Sequence, residues 1–249
     1  MAESARRRRG RRRGASLTEE KPGVGAPPSR QGWGREPAGR DAAPSPAGPS
    51  KRAYHHGDLR AALVDTAVEL IAERGVHGFS LSEASRRLGV TVAAPYRHFA
   101  DREELLAAVA TRAAEQLGET VGRALASADT PEAGVAALAE AYVRFAADQR
   151  PLFATLFGVG LDKQRYPELE AAAHGAEERL MGVVREIASG EEEAADLMLA
   201  LVTATHGAAA LLLDGFFGDP EDPQVVTVAV RRAVAVTRAV LTGRHALPS

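Results

Sequence analysis

The stretch Ser80–Glu104, SLSEASRRLGVTVAAPYRHFADREE, decides how the rest of the chain is read. Ser80 and Glu83 stand three apart, the S-x-x-E arrangement in which a hydroxyl and a carboxylate close the free N–H groups at a helix start. This predicts a second helix running to about Leu88. Gly89 ends it, because glycine takes the left-handed conformation past a helix end without steric cost. Thr91 offers a cap for a third helix over 92–98, with Pro95 near enough to its first turn to be tolerated. Asp101 and Glu104 repeat the capping logic and open a longer fourth helix carrying Leu105, Leu106, Val109 and Leu117. Two short helices about the turn Gly89-Val90-Thr91 have the dimensions of a helix-turn-helix, whose second helix enters the major groove through its N-terminal residues.

Upstream, Leu63, Ala67, Leu70 and Ile71 recur on one face and Glu69, Glu73 and Arg74 on the other, which predicts a first helix over 58–74. Asp58 can cap it and Gly75 can close it. Downstream the helical period continues, with Thr130-Pro131-Glu132 and Asp222-Pro223-Gln224 each placing a cap before a proline. Breaks at Pro151, Pro167, Gly190 and Gly218 divide the remainder into helices near 131–149, 151–158, 168–189, 191–216 and 223–243. No strand alternation is long enough to matter. The expected fold is all-α, with about nine helices.

Charge is unevenly distributed. Residues 1–53 carry 13 Lys/Arg against 5 Asp/Glu, residues 54–102 carry 6 against 6, and residues 103–249 carry 12 against 22. A basic front before an acidic body favours a polyanion partner at the N-terminal end. Residues 1–53, rich in Arg, Pro, Gly and Ala, hold too little apolar surface to offset ordering entropy and are read as a disordered basic tail. Within it, Arg6 to Arg13 can hold phosphates electrostatically. Residues 54–102 form the helix-turn-helix unit and 103–249 a helical regulatory unit. Cysteine is absent, which removes disulfides and zinc–thiolate sites. No unbroken apolar run approaches the roughly 18 to 20 residues of a membrane span, so no membrane partner and a cytoplasmic, nucleoid-associated location are expected. No histidine has Glu three residues before it, and H-E-x-x-H, G-x-S-x-G and P-loop patterns are missing, which argues against an enzyme. No cofactor and no metal are expected.

Read with its flanks, Tyr54–Val109 resembles the N-terminal DNA-binding domain of the tetracycline-repressor (TetR) family of bacterial transcription regulators. The resemblance rests on the break at Gly75, RRLGV (86–90), PYRHF (95–99) and the Asp-basic-Glu-Glu-Leu-Leu opening at Asp101. It implies that Ser82, Val92 and Ala93 meet base edges, that Ala94, Tyr96 and His98 touch backbone or neighbouring bases, and that Arg102 meets a phosphate. Thr91, at the start of the same element, joins that surface. The chain has no Asn, and no Gln lies between Tyr54 and Glu104. The bidentate adenine contact is therefore missing, Val92 and Ala93 are matched to thymine methyls, and specificity leans on Arg86, Arg97 or DNA shape. The family often has Leu where this chain has Pro95.

Ala137–Gly158 and Ala200–Gly218 more loosely resemble the regulatory domain of a TetR subgroup marked by a His-Gly pair, here His206-Gly207. Tyr142, Phe145, Phe153, Phe157, Met181, Met198, Thr203 and His206 are the candidate ligand contacts, since bundle pockets are mostly apolar with a few convergent polar groups. The family resemblance implies a homodimer through the helices near 191–216 and 223–243. Both segments are apolar over more of their circumference than one packed face requires. The expected function is a repressor that binds a palindromic operator in double-stranded DNA and is released by a small apolar or aromatic effector. The rival is a DNA-binding regulator or architectural protein that no small molecule controls.

Overall fold

A computed structural model describes residues 59–246; the arginine-rich stretch and the Asp58 cap lie outside the described residues. The chain forms α1 (Leu59–Arg74), α2 (Leu81–Leu88), a 3-10 turn (Pro95–Arg97), α3 (Arg102–Ala126), α4 (Pro131–Asp148), α5 (Arg150–Gly158), a second 3-10 turn (Lys163–Arg165), α6 (Pro167–Ile187), α7 (Glu191–Leu213) and α8 (Pro223–Thr242). No strand occurs among the described residues.

The caps act as their chemistry dictates. Ser80 and Asp101 accept from the backbone N–H of Glu83 and Glu104 at 3.3 and 2.9 Å. Thr130 and Asp222 accept from Ala133 and Gln224 at 3.2 and 2.8 Å. Gly75 and Gly89 take φ of 73° and 69°, the left-handed stops that a side chain would strain. The reciprocal half of each capping box is altered. Glu104 reaches Ala100 N–H rather than Asp101, and Glu83 spends its carboxylate on Arg74 at 2.6 Å.

The expected third helix over 92–98 is corrected to a turn followed by one 3-10 step. Pro95 has no N–H, so the Thr91 carbonyl cannot receive an i→i−4 bond. Instead Ala94 N–H closes on Thr91 at 3.0 Å, and His98 and Phe99 both donate to the Pro95 carbonyl at 2.9 and 3.0 Å. Eight α-helices, not nine, thus form among the described residues. A smaller correction concerns α7, which stops at Leu213 rather than 216. There Gly215 turns left-handed (φ 77°) and Phe216 N–H returns to the Leu211 carbonyl at 2.9 Å.

One continuous apolar cluster runs from Leu63 and Leu70 of α1, through Phe79, Phe99 and Leu105, to Leu197, Leu212 and Leu241 in the last two helices. Helix α3 is its axis, packing against α1 at one end and α4, α5 and α6 along its length. Helices α7 and α8 pack on each other and on α4. Each fully buried Leu or Phe of this cluster stabilises the fold by about 1.5–3 kcal/mol.

Helix α7 adds a feature that counting unbroken apolar runs misses. An 18-residue window in it reaches a mean hydropathy of 1.6, long and apolar enough to cross a membrane, yet only 28% of that window is buried in the bundle. Leu197, Leu201 and Leu212 face inward, while Leu199 and Leu211 remain 67% and 43% exposed.

Candidate DNA-reading head and effector cavity

The head is held by ion pairs that leave a defined set of side chains outward. Arg87 of α2 donates both guanidinium nitrogens to the Glu73 carboxylate of α1, each at 2.7 Å, which keeps that carboxyl below the usual carboxylate range. Arg74 is engaged with Glu83 across the same joint. Arg102 lies under the head: its Nε donates to the Phe79 carbonyl at 3.1 Å, its Nη2 donates to the Val76 carbonyl, and its guanidinium stacks 4.8 Å from the Phe79 ring centroid. The residue matched to a phosphate contact thus also fastens the α1–α2 connection onto the start of α3. Its Nη1 and one Nη2 hydrogen are left for other partners.

The remaining residues expected to meet DNA stand on one short surface. Thr91, Val92, Ala93, Tyr96 and Arg97 are exposed, Ser82, Ala94 and His98 half-buried. Val92 and Tyr96, 52% and 54% exposed, are held out by a turn whose inner residues Pro95 and Phe99 are buried. Val92 and Tyr96 therefore belong to the outer face of the head and not to its core. Arg86 is exposed and only 3.7 Å from Glu83, a carboxylate already shared with Arg74. Arg97 makes no ion pair with any described residue. Arg86 and Arg97 are therefore the arginines of this surface with guanidinium groups to spare.

In the body, α3, α4, α5, α6 and α7 enclose a cavity of about 130 Å³. Ala114, Leu117 and Val121 of α3 form one wall and Leu180 of α6 another. Of the eight residues expected to contact a ligand, Tyr142, Phe157 and Met198 line it. His206 and Phe153 support that wall from behind. The Tyr142 hydroxyl and His206 Nδ1 are 2.9 Å apart, and the imidazole stacks on Phe153 with ring centroids 5.6 Å apart. Burial pushes the Tyr142 hydroxyl well above its ordinary range. Three expectations do not fit this cavity. Phe145 borders a separate surface groove near Arg144 and Asp148, Thr203 is exposed, and Met181 packs on the core without lining the space. Thr205 takes the inward place instead, because α7 turns about 100° per residue and its buried line runs through Leu201, Thr205 and Leu212. Lys163, Glu177, Leu180 and Val202 also line the cavity and were not anticipated. Only the packing of α6, α7 and the turn after α5 brings them there.

Residues 63–109 match the family model of the tetR family of bacterial regulatory proteins, and residues 135–234 that of the tetracyclin repressor-like C-terminal domain. The chain belongs to the TetR family. It is accordingly a helix-turn-helix transcription regulator, and not an enzyme. The HTH-type transcriptional regulator BetI of Rhizobium meliloti (strain 1021) is 36% identical over 90 residues, which are 36% of this chain and 43% of that protein. The chain thus spans less than half the length of this curated relative. A solved protein of unknown function from Rhodococcus sp. RHA1 is 31% identical with a TM-score of 0.63, over 76% of this chain and 98% of the other. Transcriptional regulator FadR from Bacillus subtilis, solved in complex with stearoyl-CoA, is 16% identical at a TM-score of 0.56, over 76% and 99%. At that identity the likeness concerns the TetR fold alone.

Proposed function

We propose that this TetR-family protein is a repressor that grips a palindromic operator as a homodimer and lets go when a small apolar or aromatic molecule enters the body cavity. The observation that carries the reading is the reach of one helix. Asp101, which caps α3, lies two residues beyond the buried Phe99 of the reading turn, while Ala114, Leu117 and Val121 of the same helix wall the cavity. A rigid helix that touches both places transmits a shift at one to the other.

The homodimer is supported by the exposed apolar side chains of α7 and α8, Leu199, Leu211, Val228 and Val236. Packed about a two-fold axis, they would form a bundle that sets two reading turns about one DNA turn apart or a multiple of it. Tyr96, His98 and Arg102 then position the head on phosphates, and Val92 and Ala93 meet thymine methyls. Such a regulator works in the bacterial cytoplasm, where the chromosome is. That FadR was solved in complex with stearoyl-CoA supports control by a small molecule. The cavity here is well below the roughly 300–1,000 Å³ of drug-sized pockets, so a long acyl chain would require the body to open. To swing operator occupancy from one extreme to the other, an effector must prefer the released state by about 10⁴-fold.

The test is selection of duplexes from a random pool at roughly physiological salt, where non-specific contacts are weak. One palindromic consensus is expected. A pool that stays random removes the operator reading and leaves a non-specific DNA protein. A molecule that binds tightly yet leaves operator affinity unchanged removes the release mechanism alone.

A further inference from the structure

The cavity's chemistry narrows the effector class beyond apolar or aromatic, and this inference rests on the effector reading above. A volume of about 130 Å³ is close to that of a cavity of about 150 Å³ known to hold benzene, so it fits one ring or a short branched chain. The interior offers no unengaged polar side chain to a charged ligand end. The Tyr142 hydroxyl is engaged with His206, and Thr205 Oγ1 donates to the Leu201 carbonyl at 2.8 Å. Whatever polar group the ligand bears must therefore lie at the rim.

The rim carries two opposite charges that do not satisfy each other. Lys163, on the 3-10 turn after α5, is the only lysine among the described residues, and Glu177 projects from α6. Neither forms an ion pair with any described residue, the other included. Beside them Phe157 and Val202, 41% and 42% exposed, leave apolar surface uncovered at the mouth. A ligand with one charge would gain from one of these side chains and be repelled by the other. A dipolar head group gains from both when its carboxylate faces Lys163 and its ammonium faces Glu177.

We propose that the cavity takes a hydrophobic α-amino acid, its side chain between α3 and α6 and its zwitterionic end between Lys163 and Glu177. The experiment is calorimetric titration of the full chain with L-phenylalanine, 3-phenylpropionate and 2-phenylethylamine, which share the phenylethyl skeleton and carry both charged groups, the carboxylate alone and the ammonium alone. Phenylalanine is expected to bind roughly three- to tenfold tighter than either analogue, the range two partly exposed charge contacts provide. Lys163→Gln should weaken phenylalanine and phenylpropionate but not phenylethylamine, and Glu177→Gln should weaken phenylalanine and phenylethylamine but not phenylpropionate. Val202→Trp, at the exposed mouth where a larger ring is accommodated without disturbing the core, should abolish binding of all three. The inference is overturned if a singly charged analogue binds as tightly as phenylalanine, if the two charge variants leave the order unchanged, or if none of the three compounds binds. In each of these cases, operator release by some other small molecule would keep the regulator reading intact.

Discussion

At the scale of single residues, the arginines of the head divide into those engaged in ion pairs and those proposed to read DNA. Arg87 and Arg74 bind Glu73 and Glu83, while Arg86 and Arg97 keep guanidinium groups available. Tyr96→Ala, which removes a phosphate contact, and Arg97→Ala, which removes a base contact, are each expected to lower operator affinity by about tenfold, with the unfolding midpoint unchanged. Competition binding and a thermal melt read the two quantities separately. Arg102→Ala is expected to behave differently and cost stability, about 1–3 kcal/mol, because the Phe79 and Val76 carbonyls lose their donor and the Phe79 ring its cover. Urea unfolding measures that loss. Tyr142 supplies a pH signature. Burial raises its folded-state value above that of the unfolded chain, so its contribution is fully present below about pH 10 and is lost as the pH climbs above that. Tyr142→Phe is expected to flatten that alkaline loss in unfolding curves recorded from pH 8 to 11.

At the scale of elements, the reading segment is shaped by one missing hydrogen. Pro95 converts what would be a third helix into a 3-10 turn, and the turn is kept rigid by buried Pro95 and Phe99 and by the Asp101 cap that follows. Asp101→Ala should destabilise the protein by about 1 kcal/mol and weaken operator binding as well, since it loosens the start of α3 immediately after the reading turn. Calorimetric melting and operator titration on the same variant check both parts. The local signals that set these elements were legible. Caps at Ser80, Asp101, Thr130 and Asp222, and the glycine stops, act within three or four residues and need no tertiary partner. The helix expected over 92–98 does not form because so short a segment has too few hydrogen bonds to absorb the loss of one.

At the scale of the whole molecule, α7 presents an apolar excess that one chain leaves in water. Leu199 is 67% exposed, so Leu199→Glu is expected to fold with an unchanged melting temperature measured at low concentration. It should run as a monomer in light scattering and lose operator binding by two orders of magnitude or more, since a single head keeps only half of the contacts. If Leu199→Glu remained dimeric, the interface would lie elsewhere.

The all-helical character and the starts and stops of α1 to α4 follow from the amino-acid order alone, because caps, stops and helical periodicity are local. The cavity was only half legible. Tyr142, Phe157 and Met198 stood out as apolar groups on helical spacing, but spacing places a residue on a face without saying what that face meets. Phe145 and Thr203 fell outside, while Lys163, Glu177, Leu180 and Val202 came in, because the crossing of α3, α6 and α7 and the turn after α5 decide which faces converge. The same holds for Arg102, whose partners Val76 and Phe79 lie more than twenty positions away. Contacts made at that separation depend on how helices pack, and packing is a property of the assembled core rather than of any one stretch.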